Sequence, residues 1–338
     1  MKTKSFLLLL VLTTFLVLFL FFNISLGQVD IPVREVFKSL FGSTASKDTW
    51  EYIIINFRLP KAVTAILVGV GLSVSGLLMQ TFFRNPLAGP YVLGLSSGSS
   101  LGVAFVILGA SFLPSFLSNV LLSSFGIIIA SCLGSLLVLF LVILVSVKLK
   151  DTATILIVGL MFSSFTSAIV SVLSYFSSAE ELQKFTFWSM GSLGNLSWHQ
   201  VMILTALVCL GLILSLLSLK SLDALLLGEN YAKSMGLNLK KSRYIIIFAT
   251  CILAGSITAF AGPIAFIGLA VPHIAKLLFQ TSNHKTLFLG TILLGASIML
   301  LCDTISQMPF TNFTLPINAI TSIIGAPIVI FLIIKKRV

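Results

Sequence analysis

The chain has 338 residues, of which 57% are hydrophobic and only 9% charged, with 28 phenylalanines. Soluble domains average about 25% charged and 45–50% apolar residues, so a soluble enzyme, a disordered chain and a disulfide scaffold are excluded. A net charge of +11 would suggest nucleic acid in a soluble protein. At a mean hydropathy of +1.13 it indicates basic loops that fix membrane topology instead, and no nucleic-acid partner is expected. Cys132, Cys209, Cys251 and Cys302 lie in or beside apolar runs without CxxC spacing, and His199, His273 and His284 are scattered. Neither a disulfide framework nor a metal site is therefore expected.

In chain order, Met1-Lys-Thr-Lys precedes an apolar run from Phe6 to about Gly27. The run is longer than a signal-peptide core and lacks a small-x-small cleavage site, so it reads as a retained span. Gln28 to Asn56 is a polar loop. Within it, Ile31 to Phe41 carries apolar residues at helical spacing, the pattern of a short helix at the membrane surface. A span needs ~20 apolar residues to cross ~30 Å of hydrocarbon. Segments of that kind follow at about 60–83, 90–112, 117–147, 153–176, 198–219, 244–262, 263–280, 286–303 and 315–334, with Gly262-Pro263 as the break between two of them. Together with 6–27 they predict an all-α polytopic membrane protein of ten transmembrane helices, in one compact transmembrane domain over 1–338.

Loop charges give an independent check. With both termini cytoplasmic, the inner loops hold 15 of the 21 basic residues and three acids (Asp151, Asp223, Glu229), for a net +12, and the outer side sums to −1. That asymmetry is the positive-inside pattern, and a missed or extra span would spoil it.

No enzyme motif is present. Without GxxxxGK[ST] the chain has no phosphate cradle for ATP, and neither HExxH nor GxSxG occurs. No catalytic residue is expected. Ionisable groups are nearly absent from the spans: Lys276 and Asp303 fall at predicted ends, and His273 sits within one. Ion-coupled carriers use buried carboxylates or broken-helix ion sites, so the driving energy should come from elsewhere. Small residues are dense: Gly69, Gly71, Ser73, Ser75 and Gly76 in the second span, and Gly94, Gly98 and Gly102 at four-residue spacing in the third. The latter is the small-xxx-small pattern of close helix packing.

Two connections are patterned. Arg84-Asn-Pro-Leu-Ala-Gly-Pro90 is an inner turn between spans two and three. In the longest inner loop, Ser221 to Arg243, the residues Leu225, Leu226, Ala232 and Met235 can form one apolar face on two short helices, with Gly228 and Gly236 as terminators. That loop is either a solvated linker or a docking element for a cytosolic partner.

These residues resemble a family. Arg58-Leu-Pro60, Val68-Gly-Val-Gly71, Ser75-Gly76, Gln80, Arg84-Asn-Pro-Leu-Ala88 and Gly94-Leu-Ser-Ser-Gly98 are similar to motifs in the permease subunits of iron-siderophore, haem and cobalamin ABC importers (FecCD family, type II importer permeases). So are Leu227-Gly-Glu229, Ser234-Met-Gly236, Gly262-Pro-Ile-Ala-Phe-Ile-Gly268, Val271-Pro-His273, Asp303, Leu315-Pro316 and Gly325-Ala-Pro327. The resemblance runs from about residue 50 to the C-terminus.

It implies a bacterial plasma-membrane subunit that works with a second permease, identical or homologous. Two cytosolic ATPases would bind the ATP, and an extracytoplasmic binding protein would deliver a ferric siderophore. No cofactor is expected in this chain. By position, Arg58 and Lys61 match outer basic residues that receive acids of the binding protein. Asn85, Leu87 and Thr152 match a cytosolic constriction, and Gly228, Glu229, Ala232, Ser234 and Gly236 match the ATPase-contacting loop. The sequence departs from the pattern at Gln307, where a third outer basic residue is usual, and at Thr314, where an acid often precedes Leu-Pro. Haem and cobalamin remain open as cargo, and an ion-coupled transporter or a membrane-embedded enzyme are the rival classes.

Overall fold

A computed structural model describes residues 3–42, 46–112, 114–148, 152–309, 311 and 313–335. Regular structure among the described residues is helical throughout. The first helices are α1 (Thr3–Ser25), α2 (Val33–Leu40) and α3 (Asp48–Ile53), the last running through a π turn, Ile54–Arg58, into α4 (Leu59–Phe82). A 3-10 turn at Pro90–Leu93 leads into α5 (Leu95–Ile107), followed by α6 (Ser115–Leu121), α7 (Ser124–Lys148), α8 (Thr152–Phe176) and α9 (Ala179–Ser189). The chain continues with α10 (Trp198–Leu226), α11 (Glu229–Ser234), α12 (Leu239–Ala261), α13 (Ile267–Phe279), α14 (His284–Ser306) and α15 (Ile317–Lys335).

Among the described residues seven helices are long and apolar enough to cross a membrane: Lys4–Ser25, Asp48–Phe82, Ser124–Val145, Thr154–Phe176, Trp198–Leu226, Leu239–Ala261 and His284–Ser306. Of the other expected spans, two form shorter apolar helices, Leu95–Ile107 and Ile267–Phe279, and the last forms α15, of 19 residues. A 13-residue helix is about 20 Å long, less than the ~30 Å of hydrocarbon. The protein is thus a polytopic all-α membrane protein in which two of the expected spans, α5 and α13, are short.

The break at Gly262-Pro263 forms as expected. Gly262 has φ +78° and ends α12, and α13 starts only at Ile267, after Phe266 at φ +65°. The Ala265 N–H between them donates to Asn318 Oδ1 at 3.0 Å. Two features were not expected. Helix α10 continues seven residues past 219, to Leu226. Helix α9 begins with a capping box, in which Ser178 Oγ accepts from the Glu181 N–H and Glu181 Oε2 accepts from the Ser178 N–H.

The chain comprises two compact units, 1–74 with 192–206 and 264–338, and 75–191 with 207–263. In the first unit α1 lies along α14, and α13 packs on α14 and α15. Gly69 of α4 meets Gly295 of α14 so closely that a Cβ on Gly69 would stand 2.2 Å from the Gly295 carbonyl oxygen. In the second unit α5 crosses α7, with α8 and α12 against both. There Val103, Ala104, Ile107 and Leu108 form a buried cluster, covered by Leu182, Phe185 and Trp188 of α9.

Candidate functional site

The expected docking cations lie in the first unit, and both are already engaged. Arg58, at the close of the π turn, is only 8% exposed. Its guanidinium donates to the carbonyls of Ile24 and Ser25, each at 2.8 Å, and to that of Val29. Those carbonyls end α1 and begin the following loop, and the last carbonyls of a helix have no partner within it. Arg58 therefore caps α1 from 33 residues away. The guanidinium expected at the outer face is thus a buried cation held by three carbonyls of its own chain. Gly27 makes room: a Cβ there would lie 2.9 Å from Arg58 Nη2. A lysine offers a point charge in place of a planar fork, so Arg58→Lys should cost about 1.5 kcal/mol, one charged hydrogen bond. Thermal unfolding of the purified protein in detergent checks this.

Lys61, one turn further, pairs with Asp303 of α14 (Nζ to Oδ1, 3.2 Å) and keeps 22% of its side chain exposed against 1% for Asp303. Asp303 Oδ2 accepts from Asn23 Nδ2 at 2.9 Å and from Gln307 Nε2 at 2.8 Å. Asn23 also reaches Thr304 Oγ1 at 3.0 Å. The ends of α1, α4 and α14 thus converge on one buried carboxylate. Gln307 completes the set.

The remaining site residues lie in the second unit. Asn85 and Leu87 form a tight Asx turn after Arg84, which has φ +47°: Asn85 Oδ1 accepts from the Leu87 N–H at 2.9 Å, and the Asn85 carbonyl accepts from the Ala88 N–H at 3.0 Å. The Leu87 side chain stands exposed. Thr152 is the first residue of α8, and its side chain lies outside the described set, as do Lys2, Lys150, Asp151, Lys336 and Arg337 of the inner charge count.

The patterned loop is a corner between α10, α11 and α12. Gly228, at φ +114°, separates α10 from α11. At the other end of α11, the Gly236 N–H donates to the Lys233 carbonyl and the Leu237 N–H to the Ala232 carbonyl, both at 3.0 Å, with Gly236 at φ +83°. That pair of bonds is a Schellman motif. The expected apolar face splits. Leu225 and Ala232 point inward and are buried, whereas Leu226 and Met235 are exposed together with Leu227 and Tyr231, which sequence reading missed. Glu229 faces Arg243 at 4.0 Å, Ser234 Oγ bonds back to the Tyr231 carbonyl at 2.8 Å, and Ser221 Oγ meets Ser242 Oγ at 3.2 Å, so the corner is tied to α10 and α12. Gly236 has open space around it. Gly236→Val should therefore act through backbone strain alone, and the left-handed form costs an L-residue roughly 1–2 kcal/mol. The variant should insert and express normally, with α11 frayed; faster hydrogen exchange at the Leu237 amide, which donates to the Ala232 carbonyl, is the measurement.

Of the three expected packing glycines, Gly98 and Gly102 lie on the α5–α7 crossing. A Cβ on Gly98 would stand 2.5 Å from the Gly134 oxygen, and one on Gly102 would stand 2.1 Å from the Ala130 oxygen. Gly94 is different. It precedes α5 in a left-handed conformation, φ +79°, near the Gly159 carbonyl of α8.

Apolar helices that carry few charged residues among the described ones, and a corner that exposes apolar side chains, are the features of a membrane permease. The chain belongs to the FecCD transport family, whose profile matches residues 15–335. It is 32% identical over 315 residues to the hemin transport system permease protein HmuU of Yersinia pestis, covering 93% of this chain and 92% of that one. It is 34% identical over 322 residues to the vitamin B12 import system permease protein BtuC of Vibrio parahaemolyticus, covering 92% and 91%. A solved structure described as an inward-facing conformation of a putative metal-chelate type ABC transporter superposes with a TM-score of 0.85 at 30% identity, over 97% of this chain and 99% of that one. The protein is accordingly an importer permease of the ABC class.

Proposed function

We propose that this permease moves a ferric siderophore into the cytoplasm of a bacterium, with both termini on the cytoplasmic side. In this reading it pairs with a second permease subunit, identical or homologous. Two cytosolic ABC ATPases hydrolyse the ATP, and an extracytoplasmic binding protein delivers the cargo.

The observation that carries the reading is the corner at 226–235. Leu226, Leu227, Tyr231 and Met235 stand outward from a corner whose backbone is fixed by the Schellman motif. An exposed apolar set on a rigid turn is suited to receive force from a soluble partner. Closure of the ATPases would press on it, move α10 and α12 together, and open the bundle to one side and then the other.

Cargo of chelate type is supported by the names of two relatives, which handle hemin and vitamin B12. In this reading the exposed, uncharged side chains of α8, Met161, Ser164, Phe165, Ser167, Ser171 and Tyr175 among them, would line the pathway and hold a bulky chelate weakly. The test is uptake into proteoliposomes carrying the permease with the ATPase and binding protein encoded beside it. ATP-dependent entry of ferric siderophore, without entry of haem or cobalamin, is the expected result. Gradient-driven uptake by this chain alone would overturn the reading.

A further inference from the structure

Helix α1 exposes apolar side chains along its whole length, with Phe6, Leu10, Phe15, Leu18 and Phe22 among them. That aromatic surface does not stop where the helix does. The Phe21 ring stacks on Phe37 of α2 with centroids 5.1 Å apart, and Phe37 stacks on Phe41 at 6.2 Å with the planes 4° apart.

Helix α2 presents three faces. Its inner face buries Val36 and Glu35. Glu35 accepts from Lys38 Nζ at 2.8 Å and from the Ser46 N–H at 2.7 Å, and these two contacts pull its carboxyl from 4.5 down to about 2. Glu35 is therefore ionised, and it offsets the Lys38 charge. The second face is the stripe Val33, Phe37 and Phe41, four residues apart and all exposed, Phe41 to 74%. Arg34 stands exposed on the third face, beside the stripe. Aromatic side chains and a cation where a span ends match the chemistry of the membrane–water boundary, with an apolar layer below and phosphate at the headgroup level.

We propose that α2 is a phospholipid-binding element in which an acyl chain lies against Phe21, Phe37 and Phe41 while the lipid phosphate sits at Arg34. Continuity selects lipid over a protein partner: through the Phe21–Phe37–Phe41 stack the stripe extends the exposed apolar surface of α1, a helix long and apolar enough to cross a membrane. An arginine fork suits a phosphate oxygen pair. The element would hold the loop that follows α1 against the bilayer, next to the carbonyls that Arg58 caps.

A nitroxide label tests this. Cys132, Cys209, Cys251 and Cys302 are replaced by alanine, and Phe41→Cys is labelled in the full-length protein, reconstituted in vesicles of phosphatidylethanolamine and phosphatidylglycerol. Folding of each variant is checked by size exclusion. Met235→Cys, on the exposed corner, provides a label expected in water. The label at 41 should collide more with oxygen than with a water-soluble nickel chelate, the reverse of the label at 235, because oxygen partitions into the acyl layer. Adding Arg34→Glu, which sets a like charge against the phosphate, should raise the nickel collision rate at 41 severalfold. A label at 41 as open to nickel as that at 235 would overturn the lipid seat. An unchanged depth in the Arg34→Glu variant would overturn the phosphate contact. A label immobilised only on addition of the binding protein would make the stripe a protein-docking surface instead.

Discussion

Gly98→Leu is expected to abolish the folded second unit: the variant should aggregate in detergent where the wild type elutes as one species. Gly98 sits where α5 crosses α7, and even a Cβ there would fall 2.5 Å from the Gly134 oxygen and 2.6 Å from Val138 Cγ2. The first obstacle is backbone and cannot rotate away. Nor can the helices part locally, since one residue-turn further Gly102 is pressed on the Ala130 carbonyl in the same way. Overpacking a core costs typically ~1–3 kcal/mol, and a leucine driven between two backbones lies at or above the top of that range. Gly255→Ala in α12 is the matched control. Its nearest neighbour would be Ser135 Oγ at 3.3 Å, a side chain that can shift, and alanine is favoured over glycine inside a helix by about 1 kcal/mol. Its melting temperature should hold or rise. Normal stability of Gly98→Leu would place that face away from α7.

Much of this architecture was legible because hydropathy and glycine spacing are local signals. The apolar runs located the helices, and a glycine followed by proline located the α12–α13 break. The four-residue spacing of Gly98 and Gly102 revealed a packing face, though not its partner: Gly134 and Ala130 lie some thirty residues on, and only the crossing of two helices pairs them. Helix α9 had a visible signal in Ser178-Ala-Glu-Glu181, a capping box that was lost among aromatic residues too few to form a span. At the 221–243 corner the terminator Gly236 was readable, since a left-handed C-cap follows from residue type. Which side chains face inward was not. Six residues of α11 are too short for periodicity to separate Ala232, which is buried, from Tyr231 and Met235, which are not.

The basic residues near the α1 end show a different limit. Composition places Arg58 and Lys61 at one end of a span, but whether such a cation meets water, a partner's carboxylate or its own chain depends on elements far off in sequence. Arg58 finds carbonyls some thirty residues before it, and Lys61 finds a carboxylate on α14. Gln307 donates to the same Asp303 that Lys61 pairs with, so both side chains serve one buried carboxylate.

Removing Lys61 should therefore damage the protein more than removing Asp303, and removing both should cost less than removing Lys61 alone. In Lys61→Met the Asp303 carboxylate, 1% exposed, keeps its two amide donors but loses its counter-charge. Breaking one side of a buried ion pair costs about 3–5 kcal/mol. In Asp303→Leu the lysine, 22% exposed, can turn its ammonium toward water. Asn23 retains Thr304 Oγ1 at 3.0 Å, so the main loss is the Gln307 donor, about 1–3 kcal/mol. The double variant Lys61→Met/Asp303→Leu has neither charge, and apolar replacements of buried pairs are often neutral. Its unfolding transition should lie near that of Asp303→Leu alone, so the coupling across the cycle should equal the cost of Lys61→Met, about 3–5 kcal/mol. A docking role for Lys61 predicts the opposite signature: an intact melting temperature in Lys61→Met, and slower capture of the binding protein, most marked at low ionic strength. Unfolding curves and capture rates on the same four proteins decide between the two. A stable Lys61→Met that captures poorly would return Lys61 to the docking surface, whereas one that melts early and is rescued by Asp303→Leu fixes it as the counter-charge of the buried carboxylate.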